Sequence, residues 1–234
     1  MARENPRWDA ERIRGEWLKS EIKVAKRTIQ KYMRTVRPRP PAGQSWTTFV
    51  RTHGKDIWAC DFLPVVTLFF HTIHAFVMVH LESRRVVHFG VTDHSTDAWV
   101  AQQLRETTPF EEKPKYLICD NDRQFGAGFE RVAETSGIEV IHTPYQAPLA
   151  NAICERFVRS LRRECLDQVL VLGVRQRLRF LKDYVFYFNR ARPHQGIEQK
   201  IPEAIPSPAG APKASKVIAL PVLNGLHHDY RSVA

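Results

Sequence analysis

The chain has 234 residues, with 35 Lys and Arg against 25 Asp and Glu and a formal charge of +10. At 43% hydrophobic, with five Trp and thirteen Phe, it has enough apolar mass for a sizeable core, which excludes a disordered chain. Four cysteines without short paired spacing exclude a secreted disulfide scaffold and a structural zinc site, and point to a reducing cytosol.

The charge is unevenly distributed. Residues 1–41 carry +7, residues 42–154 carry −4, residues 155–192 carry +6 and the remainder +1. An acidic middle between two basic segments suits a polyanionic partner better than interspersed signs would.

In chain order, Met1–Ala10 is polar, with no apolar signal region behind it. Two short helices are predicted, Asp9–Leu18 with Ile13 and Trp17 on one face, and Lys26–Val36 with Ile29, Met33 and Val36 in a stripe. The segment is too small to be expected to form a core of its own. A Pro-rich linker follows (VRPRPPAGQ), assigned to residues 37–44 between an N-terminal helical segment 1–36 and a core 45–206.

Strands are expected over Asp56–Pro64, His74–Leu81 and Arg85–Val91, close enough to form a meander. The weakly charged Val65–Leu81 is too short to span a membrane and is broken by histidines. A helix over Thr96–Thr107 has Asp97 or Ser95 as its cap, then come a strand at Lys115–Asp120, a helix over Phe129–Ser136 closed by Gly137, and a strand at Ile138–His142. Two long helices, Asn151–Leu172 and Val174–Arg190, precede a second Pro-rich linker and a tail, 207–234, with one apolar strand signal (VIALPVL). The order describes a mixed α/β domain with the meander at one edge.

Three carboxylates stand out. Asp61 interrupts a strand that is apolar on both faces, the pattern of a central covered strand, and an ionised acid there needs compensation. Asp120 ends the apolar run Tyr116–Cys119, and Glu155 opens an apolar and basic helix. Acids at strand ends facing a helix start are the oxygen donor set that a divalent cation requires, whereas taken singly Asp120 also suits a cap of the turn Asp120–Gly126, Asp61 a partner of an arginine and Glu155 an ordinary surface residue. On that helix Glu155, Arg159 and Arg162 share one stripe, a metal ligand followed by two phosphate-gripping arginines, with Ile153, Phe157 and Leu161 expected to face the sheet. Cys60 and Cys119, each one residue before an acid on a strand, are expected on the opposite, buried face.

At these residues the sequence resembles a known family. ICDNDRQFG is similar to the motif around the second aspartate of retroviral integrases and bacterial insertion-sequence transposases, and TPYQAPLANAICERFVRSLRREC to their loop-helix motif with its Asn and, four residues on, Glu. YFNRARPHQGI, followed by IP, resembles the motif closing the transposase catalytic domain. The likeness implies an RNase H-like fold, a mixed five-stranded sheet with flanking helices, preceded by the end of a helix-turn-helix region with Ala25–Arg34 as recognition helix. It implies Asp61, Asp120 and Glu155 as catalytic and metal-binding triad, holding two Mg²⁺ or Mn²⁺ ions, with Asp122 a rival to Asp120. It further implies cleavage and strand transfer of DNA by a homo-oligomer without membrane contact, in a bacterial cytoplasm and on the nucleoid when DNA is bound. DNA contacts are expected from Arg159, Arg162, Tyr145, Gln146, Asn151, Lys26, Arg27 and Lys31. Two alternatives stand beside this reading: a DNA-binding remnant without catalysis, and a related nuclease that cuts without joining.

Overall fold

A computed structural model describes residues 1–2, 4–5, 8–36, 46–108, 112–143, 151–170, 173–203 and 216–233. The linker 37–44, Tyr145 and Gln146 lie outside the described residues. Two compact units divide the chain, Met1–Ser45 and Trp46–Ala234.

The first unit holds helix α1 (Ala10–Lys19) and helix α2 (Lys26–Val36). Asp9 caps α1 by accepting a hydrogen bond from the Arg12 N–H at 2.7 Å. Contrary to the expectation from its size, the segment has an apolar cluster of its own: Ala10, Ile13, Ile29 and Met33 are buried, with Trp8, Trp17 and Val24 against them. Lys26, Arg27 and Lys31 are exposed on α2, and Lys26 pairs with Glu11 at 3.2 Å.

The second unit opens with helix α3 (Trp46–His53), which apolar periodicity had not signalled, and is built on strands β1 (Ile57–Val66), β2 (Thr72–His80), β3 (Val86–Thr92), β4 (Tyr116–Cys119) and β5 (Glu139–His142). Their order is β3-β2-β1-β4-β5. The first three form the expected antiparallel meander, and β4 and β5 add in parallel. Helices α4 (Asp97–Thr107) and α5 (Ala127–Thr135) provide the crossovers that parallel pairing requires.

Strand alternation divides the core into two layers. Trp58, Cys60, Leu117 and Cys119 point with Phe76 and Met78 toward α4 and α5. Ile57, Ala59, Leu63 and Ile118 point the other way, toward helices α6 (Ala152–Glu164) and α7 (Val174–Arg190). Cys60 and Cys119 are therefore buried behind the face that carries Asp61, as their positions in the strands implied.

Several local expectations need correction. Thr96, not Asp97 or Ser95, caps α4, accepting from the Trp99 N–H. Asp97 instead reaches the start of α5, whose own cap Gly126 has no side chain. Its two carboxylate oxygens accept from the Gly128 and Phe129 N–H groups at 2.8 and 2.7 Å. The helix expected to run from Asn151 to Leu172 stops at Glu164, where Cys165 leaves helical geometry (φ −135°, ψ −65°). Cys154, rather than Ile153, joins Phe157 and Leu161 in the buried stripe. The segment after 215 is a hairpin, β6 (Lys216–Val222) and β7 (His227–Val233), reversed through Leu223–Asn224–Gly225 at positive φ. It packs on the domain through His227, stacked on Tyr187 and hydrogen-bonded to the Glu164 carbonyl.

Candidate active site

Asp61 lies mid-strand on β1, between Ala59 and Leu63 on the face toward α6. Asp120 follows β4 two residues after Ile118, so the pleat turns it to the same side. Glu155 lies in the first turn of α6, where the helix dipole favours an acid. The start of that helix is tied to the central strand by a side chain: Asn151 Nδ2 donates to the Cys60 carbonyl at 3.1 Å, one residue before Asp61.

Burial raises the Asp61 pKa to about 7. The Phe62 N–H, donating to Oδ1 at 2.7 Å, opposes the rise, while Asp120, Glu155 and Asp122 reinforce it by repulsion. Asp120 is raised as well, by burial first and by Asp122 next, against a hydrogen bond from the Asp122 N–H at 3.2 Å and the nearby His142. Cys154, fully buried behind the cluster, has its thiol pushed far up by burial and by the same three acids. Asp122, the sequence rival, is exposed at the turn and adds to the repulsion.

Hard oxygen donors that repel one another fit a divalent metal in donor type and in charge. Among the described residues, no three His, Cys, Asp or Glu side chains stand close enough together to hold one ion. Asp61 and Asp120 are held on the sheet, and Glu155 is exposed on its helix.

The other expected residues fall into separate groups. Arg159 and Arg162 are exposed on α6 along the Glu155 stripe, and Arg162 also donates to the Pro64 carbonyl at 3.1 Å. Asn151 is 5% exposed, so its side chain serves the β1–α6 junction and is not available as the DNA contact expected from its motif.

Sequence reasoning missed the residues that hold this arrangement. His142, on β5, bridges the Asp120 carbonyl at 3.1 Å and Glu130 at 3.0 Å. Within the YFNRARPHQGI segment, Asn189 clamps the edge strand through both the N–H and the carbonyl of Val86, each at 2.9 Å. Arg192 binds Glu164 with two nitrogens, at 2.7 and 3.0 Å. That motif is thus a fastening of α7 to the sheet and to α6.

A five-stranded mixed sheet in this order, with helices on both faces and acids on the central strand, beside the adjacent strand and on the facing helix, is the RNase H-like architecture. Residues 136–202 match the integrase core domain family, in agreement with the likeness that the motifs had suggested. The fold is similar to the HTLV-2 integrase catalytic core domain, solved in complex with magnesium in a trimeric form (15% identity, TM-score 0.50, covering 63% of this chain and 93% of that one). It is also similar to the BIV integrase catalytic core domain (20% identity, TM-score 0.50, 63% and 91%). A chain of the simian T-cell lymphotropic virus intasome in complex with PP2A regulatory subunit B56 gamma matches over 88% of this chain and 79% of its own (14% identity, TM-score 0.54). At such identities the likeness is one of fold. No curated protein matches the chain. Among the described residues, no helix is long and apolar enough to cross a membrane.

Proposed function

We propose that the protein is a transposase or integrase that cleaves a DNA strand and joins the freed end to a second DNA. The observation that carries the reading is Asp61: a half-buried carboxyl on the central strand, repelled by Asp120 and Glu155. Asp61, Asp120 and Glu155 would hold Mg²⁺ or Mn²⁺, two ions by analogy with the family. These would supply Lewis-acid activation of the attacking oxygen and stabilisation of the leaving one.

In the first step water attacks a phosphodiester, the bond to the 3′-oxygen breaks, and a 3′-hydroxyl and a 5′-phosphate result. In the second, the 3′-hydroxyl attacks a target phosphodiester, forming one P–O bond as another breaks. The chain's own part is positioning. Asn151 fixes the start of α6 against β1, the Phe62 N–H orients Asp61, and Arg159 and Arg162 grip backbone phosphates along the Glu155 stripe. Tyr145, Gln146, Lys26, Arg27 and Lys31 are assigned to further DNA contacts. Joining two ends calls for a homo-oligomer on DNA, working in the bacterial cytoplasm and nucleoid.

The test is joining of a labelled DNA end to a target duplex with Mg²⁺. Asp61→Asn and Glu155→Gln should abolish joining and leave DNA binding intact; undiminished joining by either variant rejects the assignment. A second reading, a DNA-binding protein without catalysis, is favoured by the spacing of the acids, since no three described donors could share an ion. Wild-type binding without metal-dependent cutting or joining would select it, and cutting without joining would select a nuclease.

A further inference from the structure

A cavity of about 500 Å³ opens between the turn joining β2 to β3, the flank of α6 and the segment that follows α7. Arg84, Arg156, Ser160, Gln195 and Gln199 line it together with Arg192 and His194, and among the described residues no carboxylate does. Arg156 is one residue beyond Glu155, so it projects about 100° further round the helix. The cavity is therefore on a different flank from the acid stripe.

Its cations are uncompensated. Arg84 has a backbone φ of 64°, and its Nε and Nη1 are buried without a hydrogen-bond partner among the described residues. Burial first, and the Arg156 charge next, lower its pKa, and both side chains line the same cavity. A Cβ on Gly196 would stand 3.5 Å from Arg84 Nε, so the guanidinium has backbone on one side and little freedom to leave. The other basic groups nearby are already engaged. Arg192 is neutralised by Glu164, and His194 hydrogen-bonds the Phe188 carbonyl at 2.9 Å. A half-buried guanidinium with two buried donors unused, and a second guanidinium on the same cavity, is costly unless an anion completes it.

We propose that this cavity is a phosphate-binding site in which Arg84 and Arg156 neutralise the anion while Ser160 and Gln195 donate to its remaining oxygens. Donors arriving from three separate elements suit an oxyanion with several oxygens, and the Arg fork matches phosphate. The volume exceeds what a bare ion needs and accommodates a nucleotide-sized group. The site therefore takes a backbone phosphodiester of bound DNA, which rests on the DNA-joining reading above. It adds a second contact area to the strand gripped by Arg159 and Arg162.

The test uses the full chain in EDTA, so that no chemistry occurs. Binding of a labelled short duplex is followed by anisotropy across a salt series. Arg84→Gln/Arg156→Gln should weaken binding about tenfold and reduce the slope of log affinity against log salt by about 1, the signature of one lost phosphate. Lys182→Gln, an exposed charge on α7, controls for net charge and should change both less. In a second arm, inorganic phosphate should raise the melting temperature of the wild type and not of the double variant.

Phosphate stabilisation with unchanged DNA binding would keep the anion site and overturn its assignment to DNA. Absence of both effects overturns the proposal. If the double variant fails to fold, Arg156→Gln alone carries the same two arms, because that side chain is exposed. A wild type that binds no DNA would defeat the joining reading, and the phosphate arm would still decide the cavity.

Discussion

Asn151 and Cys60 join the two elements on which the acids stand: the Asn151 amide donates to the Cys60 carbonyl at 3.1 Å, linking the start of α6 to the residue before Asp61. Asn151→Ala should remove this buried tie, destabilising the protein by about 1–3 kcal/mol. Joining should fall while DNA affinity stays near wild type. Thermal denaturation with anisotropy checks this. A loss of affinity at unchanged melting temperature would restore Asn151 to the DNA surface.

Asp97 holds the start of α5 from outside the helix, through two N–H groups. Because α5 follows the loop that leaves Asp120, this contact anchors one side of the acid cluster. Asp97→Ala should cost about 1–2 kcal/mol, as loss of a helix cap does. Gly128→Ala should cost a similar amount by a different route, since a Cβ there would stand 2.6 Å from the Asp97 carboxylate and displace it. Combining the two changes should cost less than their sum, because both remove one interaction. Urea denaturation of the three variants checks the cycle.

Much of this was legible in the sequence because burial leaves a pattern. Alternation on both faces marked β1 as central, and Asp61 was conspicuous because charge breaks that pattern. Asp120 and Glu155 could be paired with it through their positions at a strand end and a helix start. What escaped reading was long-range polar contact. Asp97 looked like a local cap because local spacing favours one, yet its partners lie more than thirty residues away. His142 and Asn189 gave no periodic signal, since each acts through backbone groups brought near only by the fold. The C-terminal hairpin did carry a signal, Asn224–Gly225, a dipeptide suited to positive φ at a reversal. The polar composition of β7 obscured the strand that follows it.

Glu164 gives a pH dependence of definite sign. Burial tends to raise its pKa, but Arg192, Tyr184 and Arg163 outweigh it and hold the carboxyl below its ordinary value. The unfolded chain then takes up the proton first as pH falls. The stabilisation is present above the ordinary carboxylate pKa and is lost as pH drops through the lower folded value. Glu164→Gln should therefore lower the melting temperature at pH 7, by an amount corresponding to about 2 kcal/mol. The gap from wild type should narrow toward pH 3. Parallel melting-temperature curves across that range would show that the pair contributes nothing through its charge.

Asp61 makes the opposite prediction. Its pKa is raised to about 7 by burial and by the neighbouring acids, so the folded protein holds the proton more tightly than the unfolded chain does. Stability from this group falls as pH rises from the ordinary carboxylate range through 7, and above that the ionised form is a burden on the fold. Asp61→Asn should accordingly raise the melting temperature at pH 8 in EDTA, by an amount corresponding to about 1–3 kcal/mol, while abolishing joining. Mg²⁺ should stabilise the wild type at pH 8, because a cation between the carboxylates offsets their repulsion, and should stabilise the variant much less. The two results together separate a metal site from a merely frustrated core. Stabilisation by Asp61→Asn without any response of the wild type to Mg²⁺ or Mn²⁺ would leave the acids strained but without a metal role, and would favour the non-catalytic DNA-binding reading.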